Sequence, residues 1–387
     1  MDVFGFSVSI FEFVAFATIT VCFGHQLYYY IRYINGVLHY NQKANKGAVT
    51  FRKEQPPVSV VICAKDESEN LAKFLPSVLT QNYPLFEVIV VNDGSSDDTE
   101  DLLKELKKTH PNLKSTFVPA EANNFSTKKL GLTLGIKGAK YEWLLFTDAD
   151  CEPKDSSWIA KMARNFNEET EFVLGYGAYF EQNGFLNKLI NYDTLFIALQ
   201  YLGMASSKKP YMGVGRNMAY RKQMFFNQKG FASTLHLQSG DDDLMVNKAS
   251  NSKNTAIEIS PESVTLSVPN SSYKGWFFQK ERHLSVSSYY TTISRFRLAI
   301  EPVTRGLFYL SVLLSCTLGT LVLGIYAGVI FLIRYVLQLF IINRSAKHFG
   351  VQKFYSTLLI FDIYLPLVNL YILVRGTLSK SRTVRWK

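Results

Sequence analysis

The stretch Leu144-Leu145-Phe146-Thr147-Asp148-Ala149-Asp150 does most to narrow what this chain can fold into. An apolar run that stops at two carboxylates one residue apart reads as a buried parallel strand delivering Asp148 and Asp150 to the edge of a sheet. Two clustered carboxylates suit one hard divalent cation, Mg²⁺ or Mn²⁺, shared with substrate phosphates, because such ions prefer oxygen ligands and keep open positions. Alone the D-x-D pattern is weak, since most such pairs are solvated turns. Its neighbours give it weight.

Val58-Ser59-Val60-Val61-Ile62-Cys63 is a β-branched run, followed by an acidic stretch from Ala64 to Asn70 and a helical pattern on Leu71, Phe74, Leu75, Val78 and Leu79. A second unit follows at once: Phe86 to Val91 as strand, Asn92 to Thr99 as loop, and an amphipathic helix from Asp101 to Lys108. A third strand, Lys114 to Val118, precedes a basic helix start at Ser126-Thr127-Lys128-Lys129, and the Asp148 strand comes next. Such alternation predicts a parallel, doubly wound α/β sheet with ligands at the carboxyl ends of its strands. Asp66, Glu67, Asp93, Asp148 and Asp150 all fall at such ends. The first loop, Ala64-Lys65-Asp66-Glu67, lacks the G-x-G-x-x-G of a dinucleotide site, and no P-loop occurs. A phosphatase of the haloacid-dehalogenase type would want Thr or Val two residues after its D-x-D, where this chain has Glu152.

VSVVICAKDE from Val58 to Glu67, VVNDGSSDDT from Val90 to Thr99 and LFTDADCEP from Leu145 to Pro153 together resemble the signature set of family 2 glycosyltransferases. The resemblance continues through Gly213 to Lys222, Gly240-Asp241-Asp242-Asp243-Leu244 and Gln279-Lys280-Glu281-Arg282-His283. It implies a GT-A fold, a Rossmann-like nucleotide-diphospho-sugar transferase domain, and transfer of a sugar from a nucleotide-sugar donor, a UDP-sugar by expectation. By the same resemblance Ala64, Glu67 and Asp93 hold the nucleoside, Asp148 reaches the ribose or the metal, and Asp150 ligates Mg²⁺ or Mn²⁺. Lys128 is expected at the phosphates, with Lys129 as a weaker candidate. Asp242 is the expected general base, with Asp241 and Asp243 competing; adjacent carboxylates repel, which raises the pKa of one of them. Gln279 and Arg282 match the family's Q-x-x-R-W pattern and are expected at the diphosphate, while His283 stands where that pattern has Trp. Arg216, Asn217 and His283 are expected to face the acceptor.

Hydrophobic residues make up 47% of the 387, and the excess sits at both ends. From about Val8 to Ile31 the chain is long and apolar enough to cross a bilayer, though Glu12 and His25 dilute it. The net charge of +10 admits nucleic acid as a partner, but Arg32, Lys43, Lys46, Arg52 and Lys53 on one side and Arg375, Lys380, Arg382, Arg385 and Lys387 on the other flank the apolar runs. That placement favours an anionic membrane face and no nucleic-acid partner. Four cysteines without a C-x-x-C pair fit a reduced compartment.

The expected layout is an N-terminal transmembrane helix over 1–35, a basic linker over 36–57, the glycosyltransferase domain over 58–290, an interfacial segment over 291–306 and a membrane-associated region over 307–387. In that region two short helices are expected from Leu307 to Ile342. The last run, from Phe354 to Val374, contains Asp362 and Pro366 and reads as a Pro-broken hairpin, because a third crossing would leave the basic tail outside. The functional expectation is an inverting, metal-assisted transferase of a bacterial inner membrane, its catalytic domain in the cytoplasm, acting on a lipid-linked or membrane-presented acceptor among membrane lipids. The alternatives are a processive polysaccharide synthase that exports its product and a non-catalytic sugar-nucleotide sensor or scaffold.

Overall fold

The computed structural model describes residues 2–3, 6–7, 9–118 and 127–378. Two two-residue strands, β1 (Asp2–Val3) and β2 (Phe6–Ser7), precede helix α1 (Ile10–Tyr29). Ser9 and Glu12 cap that helix reciprocally, Ser9 Oγ accepting from the Glu12 N–H at 3.2 Å and Glu12 Oε2 accepting from the Ser9 N–H at 3.0 Å. Glu12, which dilutes the apolar run, thus serves its end. A π turn (Tyr30–Ile34) passes without a break into α2 (Gly36–Asn45). The start of the expected linker is therefore helix, held because Val37 and Leu38 are buried.

The α/β core follows as β3 (Val58–Ala64), α3 (Ser68–Leu79), β4 (Phe86–Asn92), α4 (Thr99–Thr109), β5 (Leu113–Phe117), α5 (Thr127–Gly138), β6 (Trp143–Phe146), β7 (Cys151–Pro153), α6 (Trp158–Ala163), β8 (Phe172–Leu174) and β9 (Gly177–Tyr179). Then come α7 (Phe185–Ser206), β10 (Met218–Arg221), α8 (Lys222–Asn227), α9 (Asp243–Ala249), β11 (Thr255–Ile257), β12 (Thr265–Ser267) and α10 (Tyr273–Val286). The main sheet has the order β11-β8-β10-β6-β3-β4-β5. It is mixed: β3, β4, β5 and β6 run parallel as expected, while β10 is antiparallel to both β6 and β8. Every residue of β3 is buried, as a β-branched run covered on both faces requires. A smaller sheet, β7-β12-β9, stands beside the carboxyl end of β6.

Helices α11 (Thr292–Leu318), α12 (Leu321–Phe349) and α13 (Leu358–Leu378) complete the chain. Among the described residues, four helical stretches are long and apolar enough to cross a membrane: Ile10–Asn45, Thr292–Leu318, Leu321–Phe349 and Leu358–Gly376. The expected interfacial segment is the start of α11, and the two expected short helices are long ones that meet at Gly319-Thr320. Thr320 caps α12. The expected Pro-broken hairpin is one continuous helix with Pro366 inside it. Asp362 explains its depth: this carboxylate is fully buried between two arginines, Arg305 Nη1 at 2.7 Å and Arg334 Nη2 at 2.9 Å. Arg305 also pairs with Glu301 at 2.8 Å, Tyr309 donates to Asp362 at 2.6 Å, and Gln26 accepts from Arg334 at 3.1 Å. One polar knot therefore joins α1, α11, α12 and α13.

The helices also grip the α/β core. The last turns of α12 bury Ile341, Ile342, Ala346 and Phe349, with the Phe349 ring 4.7 Å from Tyr176 and Lys154 Nζ donating to the Phe349 carbonyl at 2.9 Å. At Gly203 in α7 a Cβ would stand 1.8 Å from the Tyr33 carbonyl oxygen, so only glycine permits this crossing of α7 and the N-terminal rod.

Candidate active site

The parallel strands aim their following loops at one edge of the sheet. After β3, Asp66 adopts φ +53° and its Oδ1 accepts from the Ser96 N–H at 2.7 Å, while Asp97 accepts from the Ser68 N–H at 2.9 Å. These bonds staple the β3 loop to the β4 loop. The Ala64 carbonyl accepts from the Asp93 N–H at 2.8 Å, which sets Asp93, only 4% exposed, at the end of β4. Asn70 Nδ2 donates to Glu67 Oε2 at 2.6 Å, and burial, with Asp150 and Asp148 nearby, pushes the Glu67 pKa up. Ala64, Glu67 and Asp93 thus sit together on the side where nucleosides bind in doubly wound sheets.

Asp148, Asp150 and Cys151 follow β6, with one ligand atom of each within 4.8 Å of the others. Burial and the neighbouring Asp148 push the Asp150 pKa up, and Ser267 Oγ donates to its Oδ2 at 2.7 Å. Burial and Asp150 hold the Cys151 thiol far above its usual range, so it stays protonated and ligates poorly. Two hard carboxylates remain. They fit Mg²⁺ or Mn²⁺, and a cation there relieves their mutual repulsion.

The third wall is the turn into α9. Asp242 Oδ2 accepts from the Gly215 N–H at 2.7 Å and its Oδ1 from the Asp243 N–H at 2.8 Å. Burial and Asp241 raise its pKa. Asp241 is held low: burial opposes this, but Lys128, a backbone hydrogen bond, Lys129 and Arg282 together outweigh it. Asp243 points the other way, 6% exposed, accepting from Tyr290 OH at 2.7 Å, and burial with Asp242 pushes it up to about 8. Of the three carboxylates, Asp241 and Asp242 line the cleft with Lys128, Asp148 and Gly215, and Asp243 does not.

Lys128 joins the walls, its Nζ 3.3 Å from Asp148 and 3.4 Å from Asp241. Burial would lower its pKa, yet Asp148, Asp241 and Asp242 keep it above the ordinary lysine value. Lys129 is turned away: its Nζ donates to the carbonyls of Thr234, Leu237 and Ser239 at 2.7, 2.9 and 2.8 Å. It shapes the loop before Asp241 and is no phosphate ligand.

Arg216 stacks on Tyr179 at 4.3 Å and donates to the Gly177 carbonyl at 3.1 Å, while its buried Nη1 has no hydrogen-bond partner. A buried guanidinium N–H left unpaired beside Asp148 and Asp150 suits an anionic ligand. Asn217 corrects the expectation of an acceptor contact. It is fully buried, its amide donating to the carbonyls of Tyr176 at 2.9 Å and Ser263 at 2.7 Å and accepting from Trp158 at 3.0 Å. Arg216 and Asn217 are adjacent in the turn before β10, where the Asn217 N–H donates to the Val214 carbonyl at 3.0 Å, yet they have separate sets of partners. Gln279 donates to Tyr179 OH at 3.0 Å and accepts from Asn270 at 2.9 Å, so it props the Tyr179–Arg216 stack. Arg282 lies within electrostatic reach of Lys128 and Asp241. His283 is exposed to solvent, within electrostatic reach of Arg282, Arg216 and Lys128. Sequence reasoning missed Ser267, Tyr179 and Tyr290. Their contacts cross between distant elements and leave no local pattern.

A mixed sheet of this order, with carboxylates clustered at its carboxyl edge, defines the nucleotide-diphospho-sugar transferase class of α/β domain. The fold is shared with a mannosyltransferase of Pyrobaculum calidifontis solved with GDP-Man and Mn²⁺, at TM-score 0.60 and 17% identity over 96% of this chain and 100% of the other. The family model described as Glycosyl transferase family 2 matches residues 59–227, and the chain carries a domain of that family. Poly-beta-1,6-N-acetyl-D-glucosamine synthase of Staphylococcus epidermidis is 41% identical over 93 residues, 24% of this chain and 21% of that protein. Glycosyltransferase AglE of Haloferax volcanii is 31% identical over 108 residues, 27% of this chain and 34% of that protein. The match spans about a fifth of the length of the first of these relatives and about a third of the second.

Proposed function

We propose that the protein is an inverting glycosyltransferase, embedded in a bacterial inner membrane with its α/β domain in the cytoplasm. It moves a sugar from a nucleotide-sugar, a UDP-sugar in this reading, to a hydroxyl of a lipid-linked or membrane-presented acceptor. The observation that carries the reading is the single cleft in which Lys128 links Asp148 to Asp241, beside Asp242. Donor site and base belong to one site.

In this reading Ala64, Glu67 and Asp93 hold the nucleoside, and Asp148 and Asp150 hold Mg²⁺ or Mn²⁺. The cation supplies charge neutralisation at the departing diphosphate. Lys128, Arg216 and Arg282 add fixed positive charge on the same side. Asp242 accepts the proton of the acceptor hydroxyl as its oxygen bonds to the anomeric carbon and the bond from that carbon to the phosphate oxygen breaks. The electron pair leaves with the nucleoside diphosphate. One displacement inverts the anomeric centre. The two N–H groups on Asp242 fix its orientation, and its raised pKa brings it nearer the range in which a base works best.

A second reading, a processive polysaccharide synthase, draws on the similarity to the staphylococcal synthase. His283 in place of the pattern's Trp speaks against it. Purified protein incubated with a panel of UDP-, GDP- and dTDP-sugars, Mn²⁺ and a membrane lipid extract tests both. Metal-dependent release of one nucleotide with a lipid product of one added sugar supports single transfer; a polymer supports the second reading; no release from any donor contradicts both.

A further inference from the structure

The N-terminal rod of α1, π turn and α2 changes character along one face. Gly24, Leu27 and Ile31, three and four residues apart, come first; Arg32, His39 and Lys43, seven and four apart, follow, and Arg32 directly succeeds Ile31 in the π turn. With Ser206 and Ser207 at the end of α7 they line a cleft of about 530 Å³. No carboxylate lines it. Arg32, His39 and Lys43 are exposed, and among the described residues none of them has a side-chain hydrogen bond or ion pair. At 1.5 Å per residue the apolar part, Gly24 to Ile31, runs about 10 Å and the basic part, Arg32 to Lys43, about 16 Å. The apolar part lies on a helix that the reading above places in the membrane, and the basic part continues it toward the α/β domain.

We propose that this cleft binds one anionic phospholipid, with its phosphate among Arg32, His39 and Lys43 and an acyl chain along Gly24, Leu27 and Ile31. Two features select this occupant. The order of apolar and basic lining matches the order of chain and headgroup, and unpaired cations with no lining carboxylate match a phosphodiester. A free phosphate shares the headgroup chemistry but has no use for the apolar half. The proposal rests on the membrane reading of α1, and its test reads bound lipid, so failure of the transfer reaction leaves it standing.

Gly24 has no heavy atom within 4 Å of the place a Cβ would take, so a side chain can start there, and Gly24→Trp puts bulk into the apolar half. Full-length protein in detergent is given phosphatidylglycerol or phosphatidylcholine, with and without inorganic phosphate, and native mass spectrometry counts retained lipid. The expected result is about tenfold preference for phosphatidylglycerol in the wild type. That preference is lost in Arg32→Gln/Lys43→Gln, and Gly24→Trp lowers retention of both lipids; thermal unfolding confirms that the variants fold. Absence of preference in the wild type, or its survival in the double variant, overturns the proposal. So does displacement of phosphatidylglycerol by inorganic phosphate with Gly24→Trp silent, which marks a free-anion site. A dimer that carries no lipid and dissociates on Gly24→Trp overturns it as well, in favour of a second copy.

Discussion

At the scale of single residues, three neighbouring aspartates have three environments. Asp241 is paired with Lys128, Asp242 is held by two backbone N–H groups, and Asp243 is sealed behind them against Tyr290. Asp242→Asn is therefore expected to lower turnover by about 10²- to 10⁴-fold, the usual worth of a general base. The base must be deprotonated, so activity should fall as pH drops through its raised pKa, giving an acidic limb above the ordinary Asp value of about 3.9. Lys128 lowers that pKa, and in Lys128→Met the limb should move to higher pH whatever happens to the maximal rate. Asp243 predicts a stability effect of opposite sign from the usual carboxylate. Its folded pKa of about 8 exceeds the unfolded value, so the folded state binds more protons across that window. Stability is fullest below the unfolded pKa and is lost as pH rises toward about 8. Asp243→Asn should flatten the melting temperature measured across that range.

At the scale of elements, Gly203 fixes how closely α7 crosses the N-terminal rod. Gly203→Ala forces a Cβ onto the Tyr33 carbonyl and should destabilise by about 1–3 kcal/mol or more, read as a lower melting temperature in detergent. The strands of the α/β core were legible because β-branched runs such as Val58 to Cys63 alternate with acidic loops and amphipathic helices. The ends of β3, β4 and α4 lie within two residues of where pattern alone puts them. Antiparallel β10 was not legible: Met218–Arg221 is short, and only its pairing with β6 and β8 sets its direction. Asn217 was misread for the same reason, since a motif places residues on an element without saying which face is buried. Lys128 and Lys129 are adjacent in sequence, yet only the carbonyls of the 234–239 loop separate the cleft lysine from the structural one. Basic helix start Ser126 lies outside the described residues.

At the scale of the molecule, the helices and the α/β core form one packed body. Its hub is Asp362, and charge counting on the run Phe354 to Val374 could not place it because both partner arginines lie on other helices. Asp362→Asn leaves Arg305 with Glu301 alone and Arg334 without its carboxylate, one buried positive charge uncompensated, and should cost about 3–5 kcal/mol, measured by unfolding in detergent. Asp362→Leu combined with Arg334→Met keeps the Arg305–Glu301 pair balanced and should recover much of that loss. The central claim concerns the cleft, and separating donor binding from turnover tests it most directly. Calorimetric titration of the nucleotide-sugar with Mn²⁺ is paired with nucleotide release for the wild type, Asp150→Asn and Asp242→Asn. The account predicts that Asp150→Asn loses metal-dependent donor binding, whereas Asp242→Asn binds donor as the wild type does and does not turn it over. Wild-type turnover by Asp242→Asn, or unimpaired metal-dependent binding by Asp150→Asn, would contradict it.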